Sequence, residues 1–165
     1  MKVRTFSEDP YKNFRFKVYF DNVSDSKNPV AGVNNVSGLS WSVEVVMHGV
    51  KRKVPHKKKE FPQVTLSRGI TVNKEFKDWA EKMWNWKEVN PLKGLRKTVI
   101  IQLCDENGTS AIKYTLENCW ISSYETLPEL AADDNSVAIE SITVEHEGWT
   151  HTVTGTGNDG VRKKA

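Results

Sequence analysis

Apolar and polar residues alternate from Asn13 to Phe20, with Phe14, Phe16, Val18 and Phe20 on one side and Arg15, Lys17 and Tyr19 on the other. A period of two is that of a half-buried antiparallel strand. A second extended signal runs from Ala31 to Met47, longer than a usual strand, with Gly32 and Gly38 offering places to bend at the corner of a sandwich or barrel. Beyond Gly38 the odd positions Leu39, Trp41, Val43, Val45 and Met47 are apolar, and Ser40, Ser42 and Glu44 between them are polar. The alternation predicts that the odd face packs the core and the even face stays wet. Gln63 to Ile70 reads as a further strand that Gly69 ends or bulges.

The period then changes. Phe76, Trp79, Ala80, Met83 and Trp84 fall at i, i+3, i+4, i+7 and i+8, one face of a helix from Lys74 to Trp86. Asn73 is the expected N-cap, and Pro91 with Gly94 closes the region. The stripe formed by Phe76, Trp79, Met83 and Trp84 is expected to pack on a sheet rather than to line a ligand groove. Two more strands, Lys97 to Cys104 and Ser110 to Tyr124, flank the turn signal Asp105-Glu106-Asn107-Gly108. An acidic connection follows, then a strand from Ser136 to His146 whose apolar parity changes between Ile139 and Ile142, implying a bulge or cover on both faces. The expected architecture is mainly β: a small barrel or sandwich of two packed antiparallel sheets with one flanking helix. It spans one domain over 1–154, followed by a flexible basic tail over 155–165.

Composition narrows the function. The chain has 165 residues, with 24 Lys and Arg against 21 Asp and Glu, so only local charge clusters are informative. No apolar run is long enough for a membrane-spanning helix or anchor, and the polar stretch Met1 to Pro10 leads to the expectation of no signal peptide. Centring the hairpin on Asn107-Gly108 places Cys104 opposite Ala111 and Cys119 opposite Arg96, too far apart along the ribbon for a disulfide. Two free thiols suit synthesis in a reducing cytoplasm.

Catalytic and cofactor motifs fail on context. Gly155-Thr156-Gly157-Asn158-Asp159-Gly160 matches a dinucleotide fingerprint but has too few residues after it for the helix and second strand that the site needs. His146 and His151 are five apart, not on one face as zinc chelation by a helix demands. Asn22, Asn35 and Asn107 begin glycosylation sequons expected to be inert without a leader. The reading expects no catalytic residue, no cofactor and no metal, and no enzyme.

One charge cluster stands out: Lys51, Arg52, Lys53, Lys57, Lys58 and Lys59, read as a long loop between two strands. It could be a solvated loop, a phosphate-binding patch of a basic nucleic-acid-binding β module, or a docking surface for acidic protein. The last possibility has a counterpart within the chain, in Glu125, Glu129, Asp133 and Asp134. The nucleic-acid reading lacks interleaved aromatics for base stacking.

Several segments together resemble the inner tail-tube proteins of contractile phage tails and contractile injection systems. They are Phe14–Phe20, Val36-Ser37-Gly38-Leu39 with Glu44, Phe61 to Gly69, Phe76 and Trp79, then Leu103, Asp105 and Gly108, then Asn118-Cys119-Trp120, and Val137 to Val144 closed by His146-Glu147-Gly148. Ile121, where relatives often carry Pro, and the lysine-dense loop depart from the pattern. They leave three subtypes open: main tube subunit, baseplate-proximal tube-initiating relative, or secreted ring-forming homologue.

The resemblance implies hexameric rings that stack into a hollow tube carrying DNA or protein effectors. The implied partners are further copies of the chain, a contractile sheath protein, and baseplate and spike proteins, in a phage virion tail or an injection particle. In that setting the polar face of Ser40, Ser42 and Glu44 suits a wetted lumen, and the basic loop is expected to meet the acidic connection of an adjacent subunit or ring.

Overall fold

The computed structural model describes residues 16–21, 29–30, 32–49, 52–85, 95–104, 108, 110–128 and 136–153, with the backbone alone at 46, 48 and 52–58. In chain order the elements are β1 (Phe16–Phe20), β2 (Val33–Val36), β3 (Ser42–His48), β4 (Arg52–Glu60), β5 (Val64–Gly69), α1 (Glu75–Trp84), β6 (Lys97–Cys104), β7 (Ser110–Glu125), β8 (Ile139–Glu145) and β9 (Gly148–Val153).

Two antiparallel sheets share the long strand β7. Its first part lies between β6 and β9, and its last part pairs with β8, so the strands connect in the order β1-β6-β7-β8-β5-β2, with β9 beside β7. The transfer occurs just past Asn118, where the register slips and the backbone takes a positive φ of 53°. Asparagine tolerates that left-handed conformation better than most side chains, and a bulge there bends the strand from one sheet into the other. The expected barrel does not close. Among the described residues β1 and β2 end the order, and no strand bridges them.

Between the sheets lies one apolar cluster: Val18 and Phe20 of β1, Val64 and Leu66 of β5, Val99 and Ile101 of β6, Leu116, Cys119 and Ile121 of β7, and Ile142 and Val144 of β8. Helix α1 closes it with Phe76 and Trp79. The Trp79 ring meets Phe20 edge-on at 4.8 Å, and its indole N–H donates to the Leu95 carbonyl at 3.0 Å. Met83 is partly buried against this cluster, but Trp84 does not pack on the core and stands 87% exposed. Helical period specifies a face, but it does not say how far the sheet extends beneath that face.

The hairpin register agrees with centring on Asn107-Gly108 from Val99↔Leu116 to Leu103↔Ile112. Bulges at both ends shift it by one, so Cys104 faces Ser110 and Cys119 faces Lys97. Helix α1 begins at Glu75, with Lys74 at the cap position. Asn73 still caps it from one residue further out, its Oδ1 accepting the Glu75 N–H at 2.9 Å. The extended signal from 31 to 47 divides into β2 and β3 across 37–41. The last strand expected from the sequence ends at His146, and β9 beyond it was not among the expected elements.

The parity change before β8 has a different cause from either expected one. The buried face is even throughout, Glu140, Ile142 and Val144, and Val137 lies outside the strand. Its first member is a buried charge. Glu140 is the register partner of Arg68 on β5, and the two are 5% and 0% exposed, with Nε donating to Oε1 at 2.6 Å. The guanidinium also donates to Asn73 Oδ1 at 2.9 Å and to the Asn73 carbonyl at 2.7 Å, and lies over the Phe76 ring at 4.2 Å. Tyr124 of β7 donates its hydroxyl to the other carboxylate oxygen at 3.0 Å. Burial raises the Tyr124 pKa, which keeps that phenol protonated and donating.

Because a buried ion left without its partner is far costlier than a pair removed together, Arg68→Met and Glu140→Leu should each destabilise the fold by about 3–5 kcal/mol. The double variant should lose much less than their sum in urea unfolding. Additive losses would show that the two groups are not coupled.

Candidate assembly surface

Strands β3 and β4 form a two-stranded ribbon that pairs with no other strand among the described residues. Gly49 turns the chain between them with a φ of 72°. The basic segment is therefore a strand and not the expected loop: Arg52, Lys53, Lys57, Lys58 and Lys59 all lie in β4, and Lys51 falls outside the described residues. The register runs His48↔Arg52, Met47↔Lys53 and Val45↔Pro55, then jumps to Val43↔Lys59, so Glu44 stands opposite the bulged stretch 56–58. A bulge of this size gives a lysine-dense strand room to bend away from flat pairing.

Both faces of β3 are open. Ser40, Ser42 and Glu44 are exposed, as expected of a wet face, but so are Trp41, Val45 and Met47 on the odd face, at 56%, 59% and 57%. The expectation that the odd face packs the protomer core therefore does not hold; only Leu39, before the ribbon, packs against it. Lys59 places its ammonium 5.7 Å from the centre of the Trp41 ring. An isolated ribbon with an apolar face bare to water is marginal on its own.

Further open surfaces lie on the main body. Strand β9 bonds to β7 on one side only, and β2 to β5 on one side only, among the described residues. A groove of about 660 Å³ separates α1 from the end of β7, lined by Ala80, Met83 and Trp84 on one wall and Ile121 and Tyr124 on the other. Of the acidic candidates, Glu125 is exposed at the end of β7, where it accepts the Ser141 hydroxyl at 3.3 Å, and Glu129, Asp133 and Asp134 lie outside the described residues.

The two stalks of the ribbon, 37–41 and 61–63, meet the corner between β8 and β9. There His146 is buried and Glu147 is held by the Arg96 guanidinium and by Asn118 Nδ2, the latter at 2.7 Å. The hydrogen bonds from Arg96 and then Asn118 keep the Glu147 carboxyl below its ordinary pKa. His151 points elsewhere, into a ring cluster with Tyr114 and Trp149. No group of three His, Cys, Asp or Glu capable of holding a metal exists among the described residues, and no described helix is long and apolar enough to cross a membrane. Both cysteines are buried free thiols, and burial pushes Cys119 up to about 12. The fingerprint-like 155–160 lies outside the described residues.

A family model described as T4-like virus tail tube protein gp19 matches residues 12–150. The chain belongs to that family. Its members are structural tube proteins, and the fold agrees: a chain in the anti-feeding prophage baseplate superposes with a TM-score of 0.73 at 20% identity, covering 88% of this chain and 97% of that one. A chain of the sheath-tube complex of the extracellular contractile injection system PVC gives 0.65 at 22% identity, with coverage of 90% and 95%. Hcp1 from Flavobacterium johnsoniae gives 0.57 at 11% identity, with coverage of 84% and 94%. No curated protein matches the sequence. Membership of the tail tube family gives the exposed apolar residues of the ribbon, Trp41, Val45 and Met47, a setting in which further copies of the chain are at hand.

Glu147 gives the surface a pH dependence whose sign follows from its lowered pKa. Its pairing supports the folded state at neutral pH and is lost as pH falls through the folded value. Glu147→Gln should therefore show a smaller drop in urea midpoint between neutral and acid pH than the parent chain.

Proposed function

We propose that this chain is the ring-forming subunit of the hollow inner tube of a contractile tail or injection particle. Copies close into hexameric rings, the rings stack, and the bore carries DNA or protein effectors inside a sheath, above a baseplate and spike. The observation that carries this reading is the ribbon: Trp41 just before β3, and Val45 and Met47 within it, are exposed, and β3 and β4 pair with no other strand among the described residues. A second copy covers such a face in closed rotational symmetry, where every subunit both gives and receives the same contact. The sixfold symmetry named for the anti-feeding prophage baseplate supports the number of copies. The partly charged ribbon adds an electrostatic term to stacking, in which β4 lysines oppose the acidic 125–135 connection of another subunit. Each exposed pair contributes only ~0–1 kcal/mol, so apolar and main-chain contacts dominate.

A baseplate-proximal subunit that starts the tube is the second reading, favoured by the likeness to a baseplate chain. Negative-stain microscopy of the purified chain separates the two: stacked rods support the main tube, single rings the initiating subunit, and a persistent monomer at high concentration overturns both.

Two further outcomes follow. Replacing Lys57, Lys58 and Lys59 together by Glu should shorten the rods and alter their salt sensitivity, because exposed charges are screened beyond ~8 Å at physiological ionic strength. Unchanged rod length and salt response would remove the electrostatic term. With Ser42→Cys in assembled rods, small thiol reagents should label the new site while reagents wider than the bore do not. The buried native thiols supply little background. Equal labelling by all sizes would place Ser42 outside the lumen.

A further inference from the structure

The ribbon joins the body through only two stalks, and one corner of the molecule holds both. His146 lies 6% exposed between β8 and β9, and its Nε2 is 3.2 Å from the Pro62 carbonyl, on the stalk that leaves β4. A carbonyl only accepts, so Nε2 carries the proton and donates. The other ring nitrogen, Nδ1, is buried without a hydrogen-bond partner among the described residues, so among them the Pro62 contact sets the polar orientation of this ring. The Phe61 ring packs against the imidazole with centroids 5.8 Å apart.

Three residues on, Trp149 donates its indole N–H to the Ser40 carbonyl at 3.4 Å, on the stalk that enters β3. Gly148 lies between these two contacts. A Cβ built there would sit 3.7 Å from Phe61 Cζ and 3.9 Å from Cε2, in ordinary van der Waals contact, so it is the γ-methyls of a branched side chain that would press on the stalk. The corner is itself tied to the body through Glu147. Its carboxylate is held by Arg96 and Asn118, and its N–H donates to the Glu117 carbonyl at 3.1 Å.

We propose that His146-Glu147-Gly148-Trp149 is the mount that sets the direction of the β3–β4 ribbon. In it His146 and Trp149 grip one stalk each, Glu147 anchors the corner to β7 and to Arg96 just before β6, and Gly148 lies against Phe61. His146 is a positioning residue: it touches no partner and acts by aiming the ribbon that does. The mount is a property of the single chain, and its consequence for assembly rests on the ring reading above.

Hydrogen exchange of the full chain tests it. His146→Phe keeps the ring but loses the donor. Exchange in the stalks 37–41 and 61–63 should rise about fivefold, the factor expected from one lost hydrogen bond of ~1 kcal/mol, with the β5–β8 ladder unchanged. His146→Gln restores a donor of similar reach and should return the stalks to parent rates. Gly148→Val reaches the same contact from the Phe61 side, and should loosen the stalks without touching the imidazole.

Unchanged stalks in both His146→Phe and Gly148→Val, an equal rise throughout the β5–β8 ladder, or failure of Gln to rescue would each overturn the mount. In microscopy the two loosened variants should form fewer and shorter rods than the parent. Loosened stalks with normal rods would overturn the assembly consequence. A parent chain that shows the stalk pattern yet forms no rings would sink the ring reading and leave the mount standing.

Discussion

A guanidinium buried away from water has to find an acceptor for nearly every donor, and Arg68 draws its acceptors from two other parts of the fold and lays its flat face on a third. Glu140 comes from β8, Asn73 from the turn before α1, and the stacking ring of Phe76 from α1 itself. Tyr124 of β7 completes the carboxylate. Because Arg68 and Glu140 are direct register partners on the core face, a slip of one residue would turn one of them outward and strand the other. A slip of two residues would keep Val64, Leu66, Ile142 and Val144 on the core face and still part the two charges, so the pair discriminates where the apolar residues alone do not. Its value lies more in choosing one register than in net stability. Helix placement follows, since the same guanidinium ties the start of α1 to β5.

The parts of this arrangement that were legible in the sequence are those in which the chain covers itself. Strand β1, the β6–β7 hairpin and the buried residues Phe76 and Trp79 were legible from their apolar residues, although Tyr19 of β1 and Ile100 of β6, on the opposite faces, are buried as well. Glu140 was obscured because a charge on the core face breaks the alternation, and only its partner Arg68, 72 positions earlier, makes sense of it. Strand β4 was obscured for the opposite reason: lysine is a poor strand former, and the run of cations shows no apolar alternation to reveal a strand. Trp41, Val45 and Met47 do alternate, but alternation says that a face is to be covered and not by which molecule. The mount was visible only as the tripeptide His146-Glu147-Gly148, whose three contacts, to Pro62, Arg96 and Phe61, are all distant in sequence.

The absence of closure and the bare ribbon are two aspects of one constraint. A sheet that curls without joining its ends leaves main-chain donors and acceptors along β2 and β9, and natural proteins cover, charge or pair such borders. Here β4 carries charge, which discourages indiscriminate edge pairing, while β3 beside it carries apolar side chains, which invite a specific cover. A ribbon repulsive to most surfaces and attractive to one complementary surface selects its partner by both signs of interaction. For a subunit that meets many copies of itself during assembly, that combination favours one contact over disordered aggregation.

Ring closure places a further demand on such a ribbon. In a cyclic assembly each subunit turns the direction of the chain of contacts by the same fraction of a circle, and any error in that turn is repeated at every interface. A small misdirection that a dimer would absorb leaves a ring open or drives it into a spiral. A two-stranded ribbon has little rigidity of its own, so its direction has to be imposed by the body. A single grip on one stalk would leave it free to swing about that point. Two grips on separate stalks, His146 on one and Trp149 on the other, remove the swing, and anchoring their common corner through Glu147 to Arg96 and Asn118 refers both to the same rigid strands. The precision of a closed ring would then originate in a four-residue corner that need not touch a neighbouring subunit.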